Sequence, residues 1–363
     1  MVCSMCGHEN RDQAKFCDDC GATLDATIAR PAGDRDLDEI RAAFSDRYMV
    51  ESLLGRGGMG SVYKARERTL DRHVALKVVR DERRHDAEFI ERFRREARIA
   101  ARLRHPRIVS VHEVGTLGGF HYFSMDYIEG STLRAVVARR RSLPPEDAIS
   151  VVAEICRAVA HAHGKGIIHR DLKPENVMID MEGDVFVMDF GLARAVADST
   201  LTASGAVVGS PFYMSPEQLR GEALDERTDV YSLGLILYYC LTGVDLFAAE
   251  SITAVIAKHL STEVPIEVSR QEMPHNLREV LVSMLEENRD RRARTVKEVL
   301  ERLTLRKIVA LGLAATEEPV SSSDATTMRV APQPQPVPPV EEQALASAAA
   351  KRKARLRSLL DDL

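Results

Sequence analysis

The sequence has no surplus of basic residues: 50 Lys and Arg stand against 55 Asp and Glu, for a formal net charge of −5. That argues against a protein that binds nucleic acid by bulk attraction to phosphate. Long apolar runs are also missing. The most suspect stretch, Ile308 to Ala315, has eight residues, whereas a membrane-spanning helix needs about 20. No charged start followed by an apolar run marks a secretory leader. A soluble, cytoplasmic chain without a membrane span is therefore expected. No repeat of solenoid period recurs. The 363 residues are 45% apolar and 29% charged, a globular composition with room for one large domain and appendages, or for two ordinary domains.

Cysteine is scarce and unevenly placed. Cys156 and Cys240 lie alone inside apolar helical patterns and read as buried core. The other four are Cys3, Cys6, Cys17 and Cys20, two Cys-x-x-Cys pairs separated by ten residues, each pair followed by glycine. Four thiolates at this spacing complete a closed tetrahedral Zn²⁺ site, and glycine suits the tight turn that follows. A unit of this size cannot hold itself together by apolar burial, and metal binding would supply the missing stability. Two disulfides are the alternative, but nothing routes the chain to an oxidising compartment. The segment resembles small bacterial zinc ribbons, which implies a structural or protein-docking role. Arg11 and Lys15 are its only basic residues and Phe16 its only aromatic, so a nucleic-acid surface is thin.

Composition divides the chain into a ribbon at 1–24, a polar linker at 25–46, a dense domain at 47–305, a Pro-rich linker at 306–340 and a short amphipathic helix at 341–363. Within the dense block the first segments are short, β-branched or aromatic, and punctuated by glycine, as strands are. One helix interrupts them, with Phe89, Phe93, Ala97 and Ala100 at helical spacing. From Pro145 onward helices dominate, and Val230 to Leu241 is apolar nearly all round, as a central buried helix is. The expected fold class is α+β and bilobal: a small β-rich lobe at 47–126 with one helix, and a larger α-helical lobe at 130–305.

The motifs follow in an order that carries chemistry. Gly55, Gly57 and Gly60 form a GxGxxG loop with Val62 two residues on. A dinucleotide fold would continue as a helix. Here a strand-like run follows, so the reading is a glycine-rich hairpin whose backbone N–H groups can cover phosphates. Val74-Ala75-Leu76-Lys77 places a lysine on the next strand, and Glu96 on the following helix is the carboxylate a buried ammonium requires. His169-Arg170-Asp171-Leu172-Lys173-Pro174-Glu175-Asn176 comes next, and Asp189-Phe190-Gly191 stands thirteen residues beyond Asn176. Phosphoryl transfer is mainly positioning and charge neutralisation. Asp171 can take or orient a hydroxyl proton, and Lys173 can neutralise charge on the moving phosphoryl group. Asn176 and Asp189 are hard oxygen ligands for Mg²⁺.

This block, Tyr48 to Leu305, resembles a eukaryotic-type protein kinase domain, and most closely the bacterial members of that family. The resemblance implies a Ser/Thr kinase that moves the γ-phosphate of ATP, with Mg²⁺, to a protein substrate. Further roles come with it. Leu54, Val62, Ala75 and Met178 would sandwich adenine, Met125 would be the gatekeeper, and backbone groups of Asp126 and Ile128 would meet the adenine edge. Lys77 would hold the phosphates against Glu96, Asp229 would brace the catalytic loop, and Glu217 would pair with Arg292. Ser215 and Ser210 stand where the family usually has Ala and Thr. Arg170 would receive a phosphate in the activation segment, and spacing back from Ser210 points to Thr202 and Ser204 as autophosphorylation sites.

A silent ATP-binding scaffold and a zinc-ribbon nucleic-acid module with an appended kinase are the rival readings. Intact Lys77, Asp171 and Asp189 oppose the first, and the thin basic surface opposes the second. The run Lys351 to Arg357 reads as a solvated helical face, or as a docking surface for an acidic partner or anionic membrane. The ribbon is the other candidate docking surface. The purified chain is expected to carry about one Zn²⁺, measured by mass spectrometry of the metal. Cys17→Ser should remove it while leaving the melting of the 47–305 block unchanged; zinc retained in that variant would discard the four-thiolate site.

Overall fold

The computed structural model describes residues 33–57, 60–79, 83–190, 211–249, 251–261, 275–310, 353–354 and 356–358. The four cysteines of the ribbon lie outside them, as do Gly191, Thr202 and Ser204. Five strands make the first sheet: β1 (Tyr48–Arg56), β2 (Ser61–Glu67), β3 (Arg72–Val78), β4 (Val111–Leu117) and β5 (Phe120–Asp126). Their spatial order is β1-β2-β3-β5-β4, antiparallel throughout.

Alternation along the strands creates two surfaces of opposite use. On β3, Val74, Leu76 and Val78 enter an outer apolar cluster with Tyr63, Ala65 and Tyr122. Ala75 faces the other way, into an inner cluster with Phe123 and Met125. Lys77 shares the parity of Ala75, so one strand supplies an apolar patch and an ammonium to the same face. Helix α2 (Ala87–Ala100) covers that face. The Asp86 side chain caps it, accepting from the Phe89 N–H at 3.0 Å. Its buried residues are Phe89, Phe93, Glu96 and Ala97, so the stripe that packs the helix also carries Glu96 inward.

The stretch expected to be a linker at 25–46 contains a three-turn helix, α1 (Gly33–Phe44). It closes the outer surface of the sheet. Ile40 and Phe44 are buried there, and the Phe44 ring meets Tyr122 edge-on at 5.0 Å. Gly118, at φ +55°, lets the β4–β5 turn approach so closely that a Cβ would collide with Ala43. The polar composition that suggested a linker belongs to the face α1 turns to water: Asp38 and Glu39 are exposed.

The second lobe is built on α4 (Pro145–His163) and α5 (Arg227–Thr242), with α3 (Leu133–Arg140) before them and α6 (Ile252–His259), α7 (His275–Met284) and α8 (Val296–Ala310) after. Residues 228–240 of α5 are all buried, as its all-round apolarity requires. Cys156 and Cys240 sit in this core as free thiols. The helix α8 carries five residues past the expected domain end. A small sheet joins β6 (Gly130–Thr132), which precedes α3, to β7 (Val177–Asp180) and β8 (Val185–Val187), which follow α4 and flank the candidate site loops. No helix among the described residues is long and apolar enough to cross a membrane.

Removing the ring that α1 contributes tests this packing. Phe44→Ala is expected to cost about 3–5 kcal/mol, read as a lower urea midpoint. A loss below about 1 kcal/mol, the range of surface substitutions, would mean that α1 is not part of the folded domain.

Candidate active site

The site is assembled around one buried carboxylate. Asp229, in the first turn of α5, has no solvent exposure. Its Oδ2 accepts from the His169 backbone N–H at 2.8 Å and its Oδ1 from the Arg170 N–H at 2.9 Å. His163, at the end of α4, reaches the same carboxylate at 2.6 Å. Burial alone would raise the pKa of Asp229; these donors outweigh it and hold the group below the ordinary carboxylate value. The loop pays for this anchoring in backbone strain: Arg170 sits at φ +67°, a conformation costing a non-glycine residue about 1–3 kcal/mol. Gln218 locks the other side, donating from Nε2 to the Arg170 carbonyl at 2.7 Å. Gln218 is itself fixed by a reciprocal cap with Ser215.

With the loop held, Asp171 is gripped from two sides. Lys173 Nζ donates to its Oδ2 at 2.9 Å, and Asn176 Nδ2 to its Oδ2 at 3.1 Å and its backbone carbonyl at 2.7 Å. Burial works against the Lys173 charge, yet the Asp171 carboxylate outweighs it and raises that pKa. Asn176 turns its amide nitrogen to Asp171, leaving the amide oxygen as its free pole. Asp189 follows β8 and also holds a positive φ, +61°. Its neighbour Phe190 is buried and lies 4.6 Å from the His169 ring. His169 Nε2 meets the Met188 carbonyl at 3.0 Å, so the catalytic loop and the Asp189 segment are tied together directly.

Lys77 joins the two lobes. Its Nζ lies 2.7 Å from Asp189 Oδ1 and 3.9 Å from Glu96 Oε1. Burial opposes its charge, but Asp189 and Glu96 outweigh burial and raise its pKa. Glu96 is the less favoured carboxylate. Buried and reached only at the longer distance, it is pushed up to about 8, against an ordinary 4.5. A cavity of about 20 Å³ lies beside this pair, lined among others by Glu96, Phe123, Met125 and Phe190.

For a nucleotide base, Val62, Ala75, Met125 and Ile128 belong to one apolar cluster. The Asp126 N–H donates to the Ser110 carbonyl at 3.0 Å, so of that backbone unit the carbonyl is the group left for a ligand. Leu54 is 48% exposed on β1, and Met178 is half-buried on β7 opposite Phe186; neither is in that cluster. The glycine loop is described at its ends. The Gly57 N–H donates to the Gly60 carbonyl at 2.8 Å, and a Cβ on Gly60 would collide with the Val78 carbonyl. Gly55 has open space where a side chain would stand. Further along, Glu217 and Arg292 form a buried bidentate pair at 2.7 and 3.1 Å, with Thr228 donating to the same carboxylate at 3.0 Å. The structure adds two positioning residues that motif reading passed over, His163 and Gln218. His163 had a visible signal, since it lies one turn after Val159 on the buried stripe of α4.

Residues 48–303 match the protein kinase domain family. The chain belongs to the protein kinase family. Residues 2–24 match the zinc-ribbon domain. A probable serine/threonine-protein kinase of Clostridium perfringens is 40% identical over 256 residues, 70% of this chain and 37% of that protein. The serine/threonine-protein kinase PknB of Mycobacterium leprae is 44% identical over 261 residues, 70% of this chain and 42% of its own length. PrkC of Bacillus subtilis, also a serine/threonine-protein kinase, is 43% identical over 221 residues, 61% of this chain and 34% of that protein. The chain thus spans less than half the length of these relatives.

The divided allegiance of Lys77 predicts a pH effect. A carboxylate whose pKa is raised on folding supports the fold below its unfolded value and progressively destabilises it as pH rises toward the folded value. For Glu96 that window runs from 4.5 to about 8. Glu96→Gln is therefore expected to match the wild-type kinase in melting temperature near pH 4.5 and to exceed it increasingly toward pH 8 to 9. A melting difference that does not change with pH would show that Glu96 keeps its charge throughout.

Proposed function

We propose that this kinase transfers the γ-phosphate of Mg-ATP to Ser or Thr hydroxyls of proteins, its own activation segment included, as a step in signal transduction. The observation that carries the reading is the pairing of Lys77 with Asp189 and of Lys173 and Asn176 with Asp171, two groups whose segments are tied by His169 Nε2 at the Met188 carbonyl. Asp171 orients the acceptor hydroxyl and takes its proton as the oxygen attacks. Lys173, already beside that carboxylate, neutralises charge on the transferring phosphoryl oxygens. Lys77 places the α- and β-phosphates. The donor set suits magnesium: Asn176 and Asp189 offer hard oxygens, and two protein ligands suffice when phosphates and water complete the shell. Held by Asn176 and Asp189, Mg²⁺ would supply positive charge to offset that of the phosphates. Were Asp189 engaged as a metal ligand, Glu96, 3.9 Å away, would be the remaining carboxylate partner of Lys77. Val62, Ala75, Met125 and Ile128 form the apolar wall for adenine, with Leu54 and Met178 at its edges. Asp126 and Ile128 supply backbone partners to the adenine edge, and Gly55, Gly57 and Gly60 cover the phosphates.

Ser/Thr specificity is supported by Lys173 in the loop and by the names of the relatives at 40–44% identity. A structural Zn²⁺ in the ribbon is supported by the four cysteines and the matching family. ATP as donor places the kinase domain in the cytoplasm. Thr202 and Ser204 are the assigned autophosphorylation sites, with Arg170 receiving the phosphate.

Labelled ATP with Mg²⁺, the chain itself and a generic protein substrate test the proposal. Label is expected on Ser and Thr, mapping to Thr202 and Ser204, and Asp171→Asn should lower transfer by roughly 10²–10⁴-fold. No transfer by wild type that binds ATP would discard the kinase activity. Label with no phosphate between Asp198 and Ser210 would discard the two assigned sites alone.

A further inference from the structure

The basic run near residue 353 does not stand free in solvent. Residues 353–354 and 356–358 are helical, and Leu356 is 2% exposed, counted within the apolar core of the large lobe. Lys353 Nζ donates to Glu182 Oε2 at 3.0 Å and to Asp184 Oδ2 at 2.8 Å. Arg140, at the end of α3, donates to the Ser358 carbonyl. One short segment thus makes an apolar, an ionic and a backbone contact with the kinase domain, more than 40 residues after the last residue of α8.

The receiving surface is held by bonds of its own, independent of the helix on it. In the β7–β8 turn, Asp180 Oδ1 accepts from the backbone N–H groups of Glu182 and Asp184 at 2.9 and 2.8 Å. That leaves the carboxylates of Glu182 and Asp184 to face outward. Arg107 pairs with Asp184 at 2.9 Å and with Glu154 at 3.3 Å, fixing the turn to α4. Arg107 and Lys353 together outweigh burial and hold the Asp184 pKa below its ordinary value. Gly183, at φ +83°, has no room for a side chain: a Cβ there would lie 2.5 Å from both the Lys353 carbonyl oxygen and the Arg357 nitrogen. The turn is therefore shaped for close approach of a helix backbone, flanked by two carboxylates for a lysine and by an apolar seat for a leucine three residues later.

We propose that the β7–β8 turn and the end of α3 form a docking groove for a basic amphipathic helix, and that residues 353–358 of the same chain occupy it. The groove accepts another helix of this kind only when the chain's own has left. Among the described residues of the basic run, Lys353 is paired with the kinase domain, while Arg357 is exposed.

The test uses the full chain and a fluorescent peptide copying residues 341–363. Wild type should bind the peptide weakly, because the groove is filled. Leu356→Asp, a change outside the catalytic machinery, should open it and tighten binding at least tenfold. Amide exchange at residues 180–185 should rise in that variant, and fall again on adding the peptide. Lys353→Glu should open the groove partly, and Glu182→Lys in the same chain should restore the closed state. Equal binding to wild type and Leu356→Asp, or unchanged exchange at the turn, overturns the proposal. Protection of the turn that is lost on dilution also overturns it, since a second copy would then supply the helix.

Discussion

A carboxylate with no access to water must be satisfied by the protein or not exist as an anion, and Asp229 imposes that condition on its surroundings. The backbone N–H groups of His169 and Arg170 meet the demand, which bends the chain into the strained conformation at Arg170. That bend sets the path of the next six residues, and so presents Asp171, Lys173 and Asn176 from one short loop. Gln218 and His163 act from different elements on the same bend. The catalytic geometry is thus a consequence of one buried charge and the donors recruited to it, not of independent placements.

The second constraint is an excess of acid around Lys77. Two carboxylates compete for one ammonium, and distance decides the result: 2.7 Å to Asp189 against 3.9 Å to Glu96. Glu96 consequently keeps an affinity for protons near neutrality. A divalent cation at Asp189 would reverse the allocation, because it competes for the same carboxylate oxygen. The proposed cation site and the link between α2 and β3 thus share a single lysine.

Much of the site was legible because the kinase motifs are local. Gly55 to Gly60, Lys77, the run from His169 to Asn176, and Asp189 each suggest their chemistry in residue type and spacing, and the structure pairs Lys77 with Asp189 and Lys173 and Asn176 with Asp171. Short β-branched or aromatic segments punctuated by glycine, and the helical stripe through Phe89, Phe93 and Ala97, made the element types readable. The helix α1 was not readable in the same way. Among its described side chains, Leu37, Ile40, Ala43 and Phe44 pack inward, and the charged sequence around them resembles a linker until a sheet is present to receive that stripe. Leu54 and Met178 illustrate the opposite limit: both sit on the expected strands, but strand membership does not say whether a side chain joins the apolar cluster.

The sequence by itself determined the chemistry: which acids, lysines and glycines are present, in which order, and hence the family and the reaction they suit. The tertiary structure decided the partners. Lys77 and Asp189 are 112 residues apart, Asp229 reaches back 60 residues to His169, and Lys353 lies 169 residues from Asp184. Spacing rules describe what one turn or one strand places side by side. A pairing across such separations is set by how whole elements pack, and the ionic strength of each contact depends on distances and burial that exist only in the folded chain.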